Sequence, residues 1–408
     1  MKLSGLLFAA ALLGACTQAK EEADYTRHVD PKIGTGGHGH VFVGANVPFG
    51  LVQVGPTSIP QTWDWCSGYH ASDSTVIGFS HTHLSGTGIG DLFDITVMPV
   101  VGEVTYARGE ENDPASGLWS YADRTQEIAR PGYYSVPLTR YGIRAELTAT
   151  ARVGLHRYTF PASEKAAVVF DLENGGCWDK ATDTGFRFSD DSTRIAGWRC
   201  STGWAKNQEV YFVAEFSKPA KGISYLQPGE IDDSKMPRIA ARYARVDFDT
   251  AEGEQVLVKV ALSPVSIEGA KANLAAELPG WDFDATAAAA DKAWNDELSK
   301  VKIETEDETS KRIFYTALYH TMVAPSLFCD VNGDYRGADG KVHENPGRDT
   351  YTTFSLWDTY RAAMPLMTVL HPERMPDIIQ TMLHIADEQG RLPVWHLWGN
   401  ETDCMVGN

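Results

Sequence analysis

From Tyr25 to about Ser266 the apolar positions come in short runs of period two. Tyr134–Thr139, Ala145–Thr150 and Val256–Leu262 alternate apolar and polar residues between turns rich in Gly, Pro, Asn and Asp. Val168–Leu172 and Val210–Phe216 are further strands, with apolar residues crowding both faces. Many short strands with no helical period between them predict a sandwich of antiparallel sheets. The period changes near Ile267. Ala270 to Lys300 is Ala-rich, with Leu274, Leu278, Trp281, Ala288 and Trp294 spaced for linker helices. Over 308–324, Ile313, Phe314, Ala317, Leu318, Thr321 and Met322 predict a helix buried along one stripe. Ser355–Leu370 reads as a second helix, kinked or broken at Pro365. A third begins at Pro372, with Met375, Ile378, Ile379, Met382 and Leu383 on its buried side. The chain is therefore β first and α afterwards.

Composition narrows the function. The 408 residues are 43% hydrophobic and 22% charged, which is ordinary for globular domains and too much for one domain of usual size. A net charge of −18 gives no electrostatic reason to approach phosphate backbones, so nucleic acid is a poor partner, and an uncharged substrate or a cation fits better. The opening MKLSGLLFAAALLGAC places charged Lys2 before an apolar run, Leu6–Leu13, that is too short to span a bilayer. Leu13-Gly14-Ala15-Cys16 resembles the lipobox of bacterial lipoproteins, in which the cysteine is acylated and becomes the new N-terminus. On that reading 1–15 is a signal peptide, Cys16 carries the lipid, and 16–24 is a tether at the periplasmic or outer cell surface. Five other cysteines remain, without a CxxC pair, so neither a structural zinc nor a disulfide scaffold is expected.

Several constellations could carry chemistry. Gly34, Gly36, Gly37 and Gly39 lack the spacing of a phosphate loop and are expected to serve tight turns and close backbone approach. His38, His40, His70, His81 and His83 raise a metal site, since His81 and His83 would share one face of a strand, but no third ligand follows from spacing, and structural or substrate-contacting roles are expected. Trp63, Trp65 and Tyr69 combine aromatic faces with polar neighbours, as sugar sites do and as ordinary cores also do. Asp330–Asp334 imitates the start of a calcium loop, yet Tyr335 and Lys341 replace the required Gly and Glu, so a hairpin turn is expected. Asp358 and Arg361 lie three apart, close enough to pair on one helix. Glu401 and Asp403 would share a face if extended. The polar stretch Gly399–Asn408 is site-like, and the chain stops inside it.

Val29–His40, Pro48–Gln53, Cys66–Tyr69, Ile77–Gly88, Pro131–Val136, Gly203–Ala205, Phe216–Pro219, Thr353–Arg361 and Gly399–Thr402 form an ordered set. That set resembles glycoside hydrolase family 92, the calcium-dependent exo-α-mannosidases. The resemblance implies an N-terminal antiparallel β-sandwich followed by an (α/α)6 barrel, with inverting hydrolysis between them. Calcium binds the 2- and 3-hydroxyls of mannose in that family, and a general acid and base flank the bond. It also implies pocket roles: Trp65 as an aromatic wall, Asp358 as a mannose hydroxyl contact, and Arg361 and Glu401 as supporting groups. The family's acid, base and calcium-ligand segments are not found in this chain. They are expected beyond Asn408, so no catalytic or metal residue is assigned here and the chain is expected to be a fragment. The expected organisation is 25–266 sandwich, 267–302 helical linker and 303–408 the beginning of the barrel. The expected activity is hydrolysis of terminal mannose, α-1,2-linked, from N-glycan or mannan chains. A non-catalytic carbohydrate-binding protein and a histidine-dependent metallohydrolase are the alternatives.

Overall fold

The computed structural model describes residues 23–187, 191–228, 238–345 and 347–404. The signal peptide, Cys16 and most of the tether lie outside these residues. So does the end of the chain from Met405 to Asn408, the point beyond which the acid and base are expected. Two antiparallel sheets dominate the first half. One has six strands, in the order Gly55–Thr57, Gly78–Ser80, Thr96–Val101, Ser163–Asp171, Ala241–Thr250, Gly222–Pro228. The other has nine: Arg238–Ile239, Lys180–Arg187, Arg194–Thr202, Gln208–Phe216, Glu254–Ser263, Val153–Phe160, Ile143–Ala149, Tyr133–Leu138, Ile128–Arg130. Their inner faces meet through aromatic pairs: Phe170 stacks on Phe212 at 5.9 Å, Phe216 meets Phe248 edge-on at 5.8 Å, and Phe79 lies 6.2 Å from Tyr158.

The strands that read as apolar on both faces are covered on both. Helix α1 (Ile267–Glu277) and the start of α2 (Phe283–Leu298) lie on the outside of the nine-stranded sheet. Ala270, Leu274, Leu278 and Phe283 bury Val153, Leu155, Val213 and Ala261 there. Each helix begins where a side chain caps it: Ser266 accepts from Gly269 N–H and Asp282 from Ala285 N–H. At the end of α2, Trp294 is fully buried and donates to the Asn46 carbonyl at 2.7 Å, locking the helix to a sandwich loop.

The last part is helical and interrupted. Helix α3 (Glu308–His320) buries Tyr315, Thr316, Leu318 and Tyr319, while Ile313, expected on the buried stripe, is 55% exposed. The face that wins is the one that finds partners: Thr316 Oγ1 accepts Asp30 N–H at 2.9 Å and the Tyr319 hydroxyl reaches Asn46 at 3.3 Å. The expected helix over 355–370 is two pieces, α4 (Leu356–Thr359) and α5 (Ala363–Leu370), broken ahead of Pro365, which then sits in the first turn of α5. Helix α6 (Met375–Gln389) starts after Pro372, with Pro376 in its first turn, and ends on left-handed Gly390. Ile378 and Ile385 are buried, whereas Ile379 and Leu383 are 52% and 47% exposed, contrary to the expected side.

Candidate active site at the domain junction

The loop Gly203–Asn207, between two strands of the large sheet, reaches out to the helical half. Trp204 meets Trp395 edge-on at 5.4 Å. Asn207 N–H donates to Asn400 Oδ1 at 3.0 Å, and Asn400 Nδ2 returns a bond to the Asn207 carbonyl at 3.0 Å. Glu209 takes Arg336 Nη2 at 3.0 Å. These contacts fix a tight hairpin, Trp395–Leu397 with Asn400–Glu401, which turns through Trp398 and Gly399 in left-handed conformations. Trp395 and His396 pair in turn with Phe354–Ser355, the residues that lead into α4.

The expected site residues fall as follows. Asp358, exposed on α4, accepts from Ser355 Oγ at 2.5 Å. Because α4 stops at Thr359, Arg361 leaves its helical position. Its Nε donates to Tyr360 Oη at 3.2 Å, and the expected Asp358–Arg361 pair does not form among the described residues. Glu401 accepts three backbone N–H groups, from Val394 at 2.7 Å, Trp395 at 2.9 Å and Asp403 at 3.0 Å. Burial pushes its pKa up, but these amides outweigh burial and hold it below the ordinary range, so the carboxylate pins the hairpin as an anion. Asp403 takes a left-handed backbone and pairs with Arg391 rather than sharing a face with Glu401. The rest of the site-like stretch, from Met405 to Asn408, lies outside the described residues. Trp65 sits in the sandwich loops, buried, its ring stacked 4.3 Å from His70 and its Nε1–H donating to Asp73 at 2.7 Å. Among the described residues no hydrogen bond or ring stack links Trp65 with Asp358, Arg361 or Glu401.

The exposed indoles are others. Trp63 is 50% and Trp178 39% exposed. Between them the backbone of Gly88–Gly90 lies flat: a Cβ on Gly88 would come 2.5 Å from the Trp63 ring, and one on Gly90 would come 2.9 Å from Trp178. Trp63 and Trp178 thus flank one glycine strap of the sandwich, while Trp204 packs on the buried Trp395 where the hairpin docks. Sequence reading passed over Gly90, Trp178 and Trp395. Two glycines at i and i+2 beside lone tryptophans were the available signal.

The histidines are mostly interior. His81 Nδ1 meets the Ile95 carbonyl at 2.6 Å, which leaves its Nε2 to accept from His156 Nε2 at 2.9 Å; the Tyr158 hydroxyl then donates to His156 Nδ1 at 2.7 Å. His83 Nδ1 donates to the Gln53 carbonyl at 2.8 Å. Burial pulls His81 down to about 3 and His83 to about 4, so both are neutral hydrogen-bonding groups. His38 is exposed and pairs with Asp64 at 2.5 Å; His40 lies under Trp63, 4.2 Å from its ring. Asp330–Asp334 is the expected turn, and Asp330 accepts from Ser263 and Asn273 at 2.8 Å each.

A sugar-binding calcium ion would need several free oxygens near Asp358, and the residues there do not fit one. Glu401 is spent on amides and Asp403 on Arg391. Elsewhere among the described residues, Glu297, His371 and Glu373 converge closely enough for a metal, but Lys300 occupies their centre. Its ammonium lies 2.7 Å from Glu297, 3.1 Å from Glu373 and 3.2 Å from His371.

Residues 28–263 match the model of the glycosyl hydrolase family 92 N-terminal domain, and 269–408 that of the family 92 catalytic domain. The structure is similar to a family GH92 α-mannosidase from Bacteroides thetaiotaomicron solved with mannoimidazole, at 37% identity and TM-score 0.89, over 94% of this chain and 51% of that one. It is also similar to a family GH92 inverting mannosidase from the same species, at 28% identity and TM-score 0.82, over 96% of this chain and 52% of that one. An uncharacterized secreted glycosidase of Arthroderma benhamiae is 25% identical, over 87% of this chain and 48% of its own length. The chain spans about half the length of these relatives. Both domain models match in order and together take in nearly the whole chain, which therefore belongs to glycosyl hydrolase family 92.

Proposed function

We propose that this chain forms the sandwich and the first barrel helices of an exported exo-α-mannosidase that removes terminal α-1,2-linked mannose with inversion. The observation that carries this reading is the 37% identity and shared fold with a family GH92 α-mannosidase over 94% of the chain. The tryptophans at the junction suit it, since an indole face covers the C–H side of a pyranose while nearby polar groups take its hydroxyls. Asp358 would hold a mannose hydroxyl, Glu401 would keep the hairpin in place, and Trp65 would support the aromatic wall from beneath, with Arg361 at the rim.

Inversion needs a carboxylic acid on the leaving oxygen and a carboxylate behind an attacking water, about 6.5–9.5 Å apart. In this reading both groups, and the calcium ligands, belong to a longer form of the protein that continues past Asn408. The apolar face of α5 and α6 argues the same way. Val369 is 73% exposed, and Leu366 on the same helix and Ile379 and Leu383 on α6 are exposed too, apolar side chains that further barrel helices would cover. The divisions at 266 and 302 and the acylation of Cys16 belong to this proposal too. A secreted relative supports export. The test is mannose release from α-1,2-, α-1,3- and α-1,6-mannobiose by the longer protein, with calcium and with EDTA. Calcium-dependent release, fastest on the α-1,2 dimer and cut by Asp358→Asn, is expected. A protein that binds mannose but releases none from any dimer would be a binding module instead.

A further inference from the structure

Beside Trp178 and Trp204 the sandwich buries a cluster of polar side chains that the proposed chemistry does not use. Ser201 and Gln208 stand opposite each other in register, and Arg199 shares the face of Ser201. Asp91 and Asp94 come from a loop in which Leu92, Phe93 and Ile95 hold left-handed backbones (φ 77°, 67° and 52°), a conformation that a β-branched residue rarely takes. Asp179 enters from the Trp178 side. All six side chains are buried.

Their hydrogen bonds can be counted off. Asp94 is satisfied: Oδ1 takes Arg199 Nη1 at 2.6 Å, and Oδ2 takes Thr82 Oγ1 at 2.7 Å and Gln208 Nε2 at 2.5 Å. Asp179 Oδ1 takes Arg199 Nη2, and Asp91 Oδ2 takes Ala205 N–H at 2.9 Å. Four buried oxygens lack a well-formed hydrogen bond from the protein: Asp179 Oδ2, Ser201 Oγ, Gln208 Oε1 and Asp91 Oδ1, the Asp91 carboxylate also being faced by the Trp178 indole N–H and the Trp204 backbone N–H. Buried polar atoms of this kind are normally paired. Asp94 and Asp179 share the one Arg199 guanidinium and Asp91 has no ion pair among the described residues, while Arg108 turns its Nη2 to the Gly175 and Gly176 carbonyls at 3.3 and 3.4 Å. Glycine backbone closes on the Asp91 oxygen: a Cβ on Gly203 would come 2.5 Å from Asp91 Oδ1. A Cβ on Gly175 would meet the Arg199–Asp179 pair instead.

An excess of negative charge and a donor set made only of oxygen match a hard cation. Calcium accepts six to eight oxygens at about 2.3–2.6 Å in irregular geometry, whereas magnesium demands near-ideal octahedral geometry and usually keeps several waters. We propose that Asp91, Asp179, Ser201 and Gln208 bind one calcium ion inside the sandwich, tying the Trp178 loop to the Trp204 loop. This ion is structural and separate from any ion that touches substrate.

The test uses the 408-residue chain, stripped with EDTA near neutral pH, and melts it at increasing calcium, with magnesium at equal ionic strength as control. Terbium luminescence excited through tryptophan counts the sites. A melting temperature that rises with calcium, saturates at one ion and responds far less to magnesium is expected. Asp91→Asn should abolish the rise while melting no lower than the parent in EDTA, because it removes an uncompensated buried charge. Ser201→Ala, which deletes one donor and nothing else, should raise the calcium midpoint about tenfold. No calcium response in the parent, or an undiminished response in both variants, would overturn the site.

Discussion

Arg199→Met tests the electrostatic foundation of the junction. The guanidinium is fully buried and bridges Asp94 and Asp179, with its Nε donating to the Leu172 carbonyl at 3.0 Å. Burial alone would lower its pKa, but the two carboxylates outweigh burial and raise it, so it is charged at every working pH. Methionine keeps much of the volume and none of the charge. Removing one partner of a buried pair costs about 3–5 kcal/mol, because the remaining carboxylates keep their desolvation penalty. Against a domain stability of roughly 5–15 kcal/mol that is a large share. In urea unfolding followed by circular dichroism, in EDTA near neutral pH, the midpoint should fall by about 1 M or more. The sign of the pH dependence is fixed as well. Burial already raises Asp94 above its ordinary value, and losing Arg199 raises it further. The folded state then binds more protons than the unfolded one between the two pKa values, so stability falls as pH rises, and mild acid should return part of the loss. Adding Asp94→Asn and Asp179→Asn to Arg199→Met should recover more than half. A loss under about 1 kcal/mol with no pH dependence would refute the reasoning.

Three other outcomes are expected. His83 is held near 4 while an unfolded histidine titrates near 6.5, so the unfolded state takes up the proton first and stability falls as pH drops through that window. His83→Asn keeps a donor to Gln53, and between about pH 7 and pH 5 it should lose about 2 kcal/mol less than the parent. Asn400→Ala removes both bonds to Asn207 and should cost about 1–2 kcal/mol locally, read as faster hydrogen exchange at the Val394 and Trp395 amides without global unfolding. The 408-residue chain should bind an apolar dye through α5 and α6, and Val369→Lys with Ile379→Lys should abolish most of that signal without lowering the melting temperature.

Much of the architecture could be read from period alone. Alternation found the strands, and a change of period near Ile267 marked where α1 begins. Apolar residues on both faces of Val210–Phe216 announced a covered sheet, though not that α1 would do the covering. Period failed where it had to choose a face. On α3 the apolar residues spread around most of the helix, and only tertiary partners such as Asp30 and Asn46 decide that Tyr319 goes in while Ile313 stays out. The break at Tyr360 was placed too late because Pro365 is tolerated in the first turn of a new helix. Long-range polar pairings were beyond reach. His81 meets His156 across 75 positions, and Arg199 meets Asp94 across 105. Trp65 was assigned as the aromatic wall by resemblance, and the structure adds that Trp65 is buried while Trp63 and Trp178 are exposed. Glu401 was expected by resemblance as a supporting group of the pocket; the three amide bonds it accepts from Val394, Trp395 and Asp403 could not be read from the sequence.

The central claim is hydrolysis of an α-mannoside with inversion, and the anomer released first tests it most directly. Proton NMR of the longer protein acting on α-1,2-mannobiose with calcium should show β-mannose first, with the α form appearing only as the sugar mutarotates, and the folded 408-residue chain should release neither. α-Mannose as the first product, or prompt mannose release by the 408-residue chain itself, would contradict the account.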